Sequence, residues 1–312
     1  MSSSYESKKA KHESTATNPN WLELPRDITL NILQRLGAVQ ILMNARNVCP
    51  DWWNICKDPV TWRQIHMLDL LPYVKLTSYG GVDNEFLAKL CKYAVDLSCG
   101  HLEEIYICEF GTDHLLQHIA DRFYILLLSL INRCIRLYGC KLISNEGWCE
   151  FVKKFSMLEE IHILNSELSR KSLEVIGQNC PLLKSLTFNG KWYGKPSKWD
   201  AEASIIAKTM PKLTYLDIYG NALTVVGLFS ILDACPLLES LNIQRCSNLK
   251  VGASLLEILY NRIKDLRAKE FFSDAYDAGY DSCSEWVRVM MAEYREHVET
   301  SEDEVEGEGE DA

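Results

Sequence analysis

No apolar run in the 312 residues approaches the roughly 20 that a membrane-spanning helix requires. Residues 1–20 lack the apolar stretch of a secretory signal and read as a solvated arm. The twelve cysteines include no CxxC pair, so with no export signal they are expected as reduced thiols in cores, not as a disulfide framework. There is no GxxxxGK[ST] and no GxGxxG after a strand, the loops that cradle phosphates. Bases are fewer than acids, 33 against 43, for a formal charge of −10. That balance does not favour phosphate backbones. The expectation is a protein of the nucleus and/or cytoplasm that uses no cofactor, no nucleic acid and no membrane.

The charge is unevenly placed. Residues 299–312 hold eight acids and no base, which leaves the rest of the chain near −2. This stretch reads as an acidic, disordered tail. In the N-terminal arm, Lys8, Lys9 and Lys11 form either a nuclear address or a plain solvated run.

Catalytic constellations are scarce. His114 and His118 lie four apart on an expected helix and could present two metal ligands, but no Cys or carboxylate at ligand spacing completes a set. Glu103-Glu104 and Glu159-Glu160 occupy adjacent strand positions, so their side chains diverge and make poor acid–base pairs. No cysteine shows the surroundings of a nucleophile. The sequence predicts neither a catalytic nor a metal site.

What the chain does have begins at residues 21–66. Pro25 and Asp27 mark a helix entry, and Ile28, Ile32, Leu33 and Leu36 recur on one helical face. Gly37 is placed to end that helix. A second helical run covers 39–48, Asp51 is placed to cap a third helix with Trp52 and Trp53, and Asp58-Pro59 to start a fourth with Trp62. About 45 residues form a marginal unit with more apolar side chains than its own core needs. It is either a helical cap on the neighbouring domain or a docking unit.

Residues 67–100 read as a linker and a helix over 84–98, with Phe86, Leu87, Leu90, Ala94 and Leu97 as its buried face. Then the form L-x-x-L-x-L repeats, with first positions at 102, 132, 158, 183, 213, 238 and 263. The spacing of 25 to 30 residues is that of leucine-rich repeats, each a short strand followed by a helical segment. Cys180 and Cys235 fall at the same repeat position, as small core fillers. The predicted fold is α/β: a small helical unit, then a solenoid over 101–268 with seven short parallel strands, a cap over 269–298 and the tail. Asn132 and Trp148 depart from the pattern and blur the register of the second repeat.

Two surfaces of the solenoid suit protein recognition. The first is the outer row of the strands, where Tyr106, Tyr138, His162, Tyr215, Asp217 and Tyr219 alternate with the core positions. The second is the insert over 190–199, basic and aromatic, with Trp192, Lys195 and Trp199. Either the insert grips an acidic peptide, or its tryptophans fold back on the solenoid edge.

Three motifs in the first unit carry a resemblance. Leu24-Pro25…Ile32-Leu33…Leu36, then Val48-Cys49…Trp52, then Asp58-Pro59…Trp62 resemble the F-box. With the repeats, Asn179-Cys180-Pro181 and the 110–122 segment FGTDHLLQHIADR, they resemble plant F-box/leucine-rich-repeat proteins over 21–266. The resemblance implies a non-catalytic substrate receptor of an SCF ubiquitin ligase. Its F-box would dock on a Skp-type adaptor and, through it, a cullin scaffold. It implies that Leu24, Pro25, Ile28, Ile32, Leu33, Leu36, Val48, Trp52 and Trp62 form the F-box core and its adaptor face, undivided between the two. The alternative is a leucine-rich interaction scaffold outside the ubiquitin pathway.

Overall fold

The computed structural model describes residues 24–67, 84–124, 133–189, 200–246 and 248–268. The insert over 190–199, the cap over 269–298 and both terminal segments lie outside them.

The first unit folds as α1 (Arg26–Gln34), α2 (Ala38–Met43), a 3-10 turn (Ala45–Asn47), α3 (Pro50–Ile55) and a second 3-10 turn (Pro59–Trp62). Two of its expected boundaries are corrected. Gly37 does not stop α1; it has φ −65° and stands as the N-cap of α2. The cap of α3 is Cys49, whose sulfur accepts from Trp52 N–H, not Asp51, which sits inside the first turn. Asp58 caps the last turn as its position predicts, accepting from Val60 N–H at 3.1 Å.

The repeats come next as strand and helix in alternation. After β1 (Gln64–His66) and α4 (Asn84–Leu97) come β2 (Glu104–Cys108), α5 (Asp113–Tyr124), β3 (Cys134–Tyr138), α6 (Asn145–Lys153), β4 (Glu160–Leu164) and α7 (Arg170–Asn179). Then come β5 (Ser185–Asn189), α8 (Ala201–Thr209), β6 (Tyr215–Asp217), α9 (Val225–Ala234), β7 (Ser240–Asn242), α10 (Ala253–Tyr260) and β8 (Asp265–Arg267). All strands run parallel in chain order in one eight-stranded sheet. Sequence reasoning expects seven. The additional one is β1, the last three residues of the helical unit, paired with β2 through Gln64–Glu104, Ile65–Ile105 and His66–Tyr106. Three residues are too few for an alternation signal, so the pattern does not reveal it.

Register settles the blurred second repeat. Ile65, Ile105, Ile135, Ile161, Leu186, Leu216, Leu241 and Leu266 stand opposite one another in an unbroken aliphatic ladder. Trp148 is fully buried and stacks on Phe151, filling the space behind that repeat with an aromatic in place of an aliphatic. In α4, Cys91 and Val95 are buried and Phe86 is exposed, so the buried face is turned slightly from the predicted one. Buried side chains from Leu33 to Ile263 form one connected cluster, so the helical unit and the repeats share a core.

Each repeat is tied to the next by polar contacts at fixed positions. Four residues after the ladder aliphatic the chain turns through the left-handed region, at Glu109, Gly139, Asn165, Gly220 and Arg245. There Glu109 N–H donates to Tyr138 C=O, Gly139 N–H to Leu164 C=O and Gly220 N–H to Gln244 C=O. At the helix ends, Asp113 accepts from the N–H and hydroxyl of Ser144, the cap of α6. Asp200 does the same for Thr224, the cap of α9, at 2.9 and 2.6 Å. Asn145 accepts from Ser169, the cap of α7, and from Ser172. In α6 and α9 the third helical residue must then be small. A Cβ on Gly147 would lie 2.1 Å from Asp113 Oδ1, and one on Gly227 2.2 Å from Asp200 Oδ1. The thiols of Cys180 and Cys235 donate to the carbonyls of Phe155 and Met210, each 25 residues earlier. Burial raises these thiols to about 12 and about 11, as befits core fillers.

Breaking these ties should have a measurable cost. Asp200→Ala should destabilise by about 1–2 kcal/mol, the worth of a cap. Gly227→Ala should cost at least as much, and the double variant little more than either single, because both break one contact. Urea unfolding of the three variants measures this. Glu109→Gly should be stabilising by about 0.5–1 kcal/mol, since relief of a left-handed non-glycine outweighs the added chain entropy; the same assay reads it.

Candidate functional site

The structure divides the nine F-box residues that the sequence left together. Leu33 is 0% exposed and Trp62 1%, and the Trp62 indole donates to Cys56 C=O at 2.8 Å. These two belong to the internal core. Ile32 and Trp52 are half-buried. Leu24, Pro25, Ile28, Leu36 and Val48 are exposed, Ile28 to 46% and Val48 to 62%. Met43 and Val60 are exposed as well, though no motif marks them. Between α1 and α3 lies a cleft of about 200 Å³ walled by Leu24, Thr29, Trp52 and Ile55, with Arg26 and Asp51 at its polar side. Scattered exposed apolar residues are ordinary on any surface. Six large ones on a unit of this size are a concentration that water alone does not favour.

This unit is held to the solenoid at more than one point. Besides β1, the Arg46 guanidinium lies 5.5 Å from the Trp53 ring and 5.7 Å from the Tyr93 ring of α4. A cation shared by two aromatic faces joins the F-box helices to the first helix of the array. Lys57 adds a second cation over Trp53 at 4.7 Å. Within the unit, Arg26 reaches Asp58 at 2.8 Å and so links α1 to the last turn.

The outer row of the sheet is more closed than the sequence suggests. Register places His66, Tyr106, Arg136, His162, Thr187, Asp217, Asn242 and Arg267 side by side across all eight strands. These positions do point away from the apolar cluster, as the alternation predicts. Yet Tyr106, Tyr138, Thr187, Asp217 and Asn242 are buried. Parallel strands bring neighbours close, and the side chains satisfy one another. Tyr106 and Tyr138 meet edge to face at 6.5 Å. Asn242 donates to Asp217 at 3.1 Å, and Tyr219 N–H to the other Asp217 oxygen at 2.9 Å. Burial still pushes the Asp217 carboxyl above its ordinary range. Arg136 bridges Glu104 and Glu160. The picture of an open tyrosine row is therefore corrected for Tyr106, Tyr138 and Asp217. Tyr215, Tyr219 and His162 remain half-buried, with the Arg245 guanidinium over the Tyr219 ring at 5.8 Å. Trp192, Lys195 and Trp199 lie outside the described residues.

The candidate histidine pair does not converge. His118 Nε2 sits 3.0 Å from Asp96, which Arg122 also reaches, while His114 is exposed and Asp113 is engaged by Ser144. Glu103 and Glu159 turn to Arg63 and Lys184, away from Glu104 and Glu160, as adjacent strand positions dictate. No helix among the described residues is long and apolar enough to cross a membrane. A cluster the sequence could not show is Cys134, Glu160 and His162, brought together only by the pairing of β3 with β4.

An F-box-like family model matches residues 21–68. F-box protein SKIP19 of Arabidopsis thaliana is 40% identical over 251 residues, which are 80% of this chain and 76% of that one. Putative F-box/LRR-repeat protein 22 of the same plant is 36% identical over 260 residues, 83% of this chain and 80% of that one. Its putative F-box/LRR-repeat protein 23 is 40% identical over 250 residues, 80% of this chain; the chain spans about half of that relative's length, 53%. Among solved structures, the crystal structure of the yeast Rad7 and Elc1 complex is similar at a TM-score of 0.44 and 15% identity, over 80% of this chain and 69% of that one. Proteins of this kind are non-catalytic ligase subunits. The chain belongs to the F-box/leucine-rich-repeat family of plants.

Proposed function

We propose that the chain is the substrate-recognition subunit of an SCF-type E3 ubiquitin ligase. The F-box helices dock on a Skp-type adaptor, which connects them to a cullin scaffold. The repeats hold the protein to be ubiquitinated. The observation that carries the docking half is the exposure of Leu24, Ile28, Leu36 and Val48 on one small unit, Leu24 at the edge of the α1–α3 cleft. A partner that covered them would remove apolar surface from water at roughly 25 cal/mol per Å².

For the target, the support moves along the sheet. The half-buried Tyr215 and Tyr219, with Arg245, offer aromatic area and charge together, and the 190–199 insert follows β5 in the sequence. The mechanism is positional. Holding a target beside a charged ubiquitin-conjugating enzyme raises its effective concentration without a catalytic group on this chain. A second reading has a specific observation behind it. Because β1 makes the helical unit the first member of the sheet, that unit also serves as the array's end cap, and a plain interaction scaffold would need nothing more.

Adaptor binding separates the two readings. Ile28→Glu with Val48→Glu should weaken capture of a purified plant Skp-type adaptor by more than tenfold, which is about 1.4 kcal/mol or more. The melting temperature should hold, because both positions are exposed. Leu33→Ala should lower stability by about 2–5 kcal/mol, since it empties a fully buried site. No capture by wild type would favour the scaffold, whereas equal capture by wild type and the double glutamate variant would move the docking surface away from Ile28 and Val48.

A further inference from the structure

Where β3 and β4 lie side by side on the outer face, three side chains of different chemistry meet. Cys134 and Glu160 are register partners, and His162 is two residues further along β4. One ligand atom from each lies within 4.8 Å of the others. Cys134 is 8% exposed, and the His162 and Glu160 side chains 16% and 42%, so the cluster is enclosed with one opening, on the carboxylate side.

The hydrogen bonds leave this cluster incomplete. His162 Nδ1 is 2.8 Å from Thr187 Oγ1, a buried hydroxyl. His162 Nε2 is buried and has no hydrogen-bond partner. Glu160 Oε2 lies 3.5 Å from it, beyond good hydrogen-bond range. The imidazole nitrogen and the Glu160 carboxylate thus face each other across a gap, with the Cys134 thiol beside them.

We propose that Cys134, Glu160 and His162 bind a divalent transition-metal ion of the zinc type. Sulfur, imidazole nitrogen and carboxylate oxygen form a mixed donor set that suits zinc and disfavours magnesium or calcium. The Thr187 hydroxyl, 2.8 Å from Nδ1, gives the other ring nitrogen a hydrogen-bond partner, as ligating histidines have. The charges close as well. Arg136 lies between Glu104 and Glu160, so the neutral-thiol cluster carries one net negative charge. A divalent cation entering with loss of the Cys134 proton to solvent brings the total to zero. Arg136, the register partner of His162, reaches Glu160 Oε2 at 3.2 Å, so a metal at this site shares that carboxylate with the guanidinium. The fourth position is left to water. Such an ion would staple two repeats on the outer face, and it stands apart from whether the F-box binds an adaptor.

The test uses the full chain, stripped with a chelator and kept reduced by a thiol-free reductant. Titration with Co²⁺ should give a near-ultraviolet thiolate-to-cobalt band that saturates at one ion per chain. Zn²⁺ should bleach it, release about one proton per ion and raise the melting temperature. Cys134→Ser should abolish the band, while Cys99→Ser, at an exposed thiol, should keep it. His162→Gln and Glu160→Gln should each weaken Zn²⁺ binding at least tenfold. If a variant does not fold, alkylation of wild type with mass-spectrometric mapping replaces it, and Zn²⁺ should slow labelling of Cys134. A band that survives in Cys134→Ser, or a wild type with no band and no Zn²⁺-dependent shift in melting, would make the cluster a packing group only and overturn the proposal.

Discussion

The structure depends on side-by-side pairing of very short parallel strands. A strand of three to five residues with one helix behind it cannot hide its own apolar face, so each repeat is stable only against a neighbour. Equivalent residues must then stand opposite one another, and chemistry repeats where geometry does. The aliphatic ladder from Ile65 to Leu266 is the plainest result. The left-handed turn, the carboxylate on the next helix cap and the thiol on a carbonyl 25 residues back are others. Each spends a group of one repeat on the backbone of another. Stability is therefore distributed over interfaces, and no single repeat holds the fold.

The same constraint explains the closed outer row. Core positions alternate with outer ones along a strand, and that much is readable from L-x-x-L-x-L. How far apart neighbouring outer side chains stand is not in any one repeat. It is set by strand spacing, so Tyr106 beside Tyr138, or Asn242 beside Asp217, becomes visible only with the register. Polar residues on that face hydrogen-bond laterally before they meet a partner. What is left for recognition lies toward the strand ends, at Tyr219 and Arg245, where the chain turns off the sheet.

The repeats, their period and the helical unit were legible because they rest on patterns longer than ten residues. The short-range chemistry was legible in part. Asp58 acts as the cap its position predicts, whereas Cys49 takes the role expected of Asp51, because Pro50 occupies the first helical position. The long-range features were hidden for a common reason. β1 is three residues long, Asp200 and Thr224 are 24 apart, and Cys134 and Glu160 are 26 apart. Nothing local distinguishes them. Likewise the motif Leu24-Pro25…Leu36 encloses both Leu33, fully buried, and Ile28, half exposed, with no difference in residue chemistry to tell them apart.

That division changes what the surplus of apolar residues in the first unit means. Had the unit been only a cap, its excess should have gone into the shared core through β1 and α4. The core is already complete there, with Ile65, Cys91, Ala94 and Val95 sealed. Leu24, Ile28, Leu36, Met43, Val48 and Val60 are left over after that seal is made. A cap needs a polar outer face to keep an array soluble, and this one exposes six large apolar side chains among its polar ones. Being the first member of the sheet and serving as the proposed docking surface are therefore compatible roles of one unit. Pairing through β1 and the Arg46 cation between Trp53 and Tyr93 serve the second role as well as the first. A surface proposed to place one bound protein relative to another is of use only when it is fixed to the sheet proposed to hold the other.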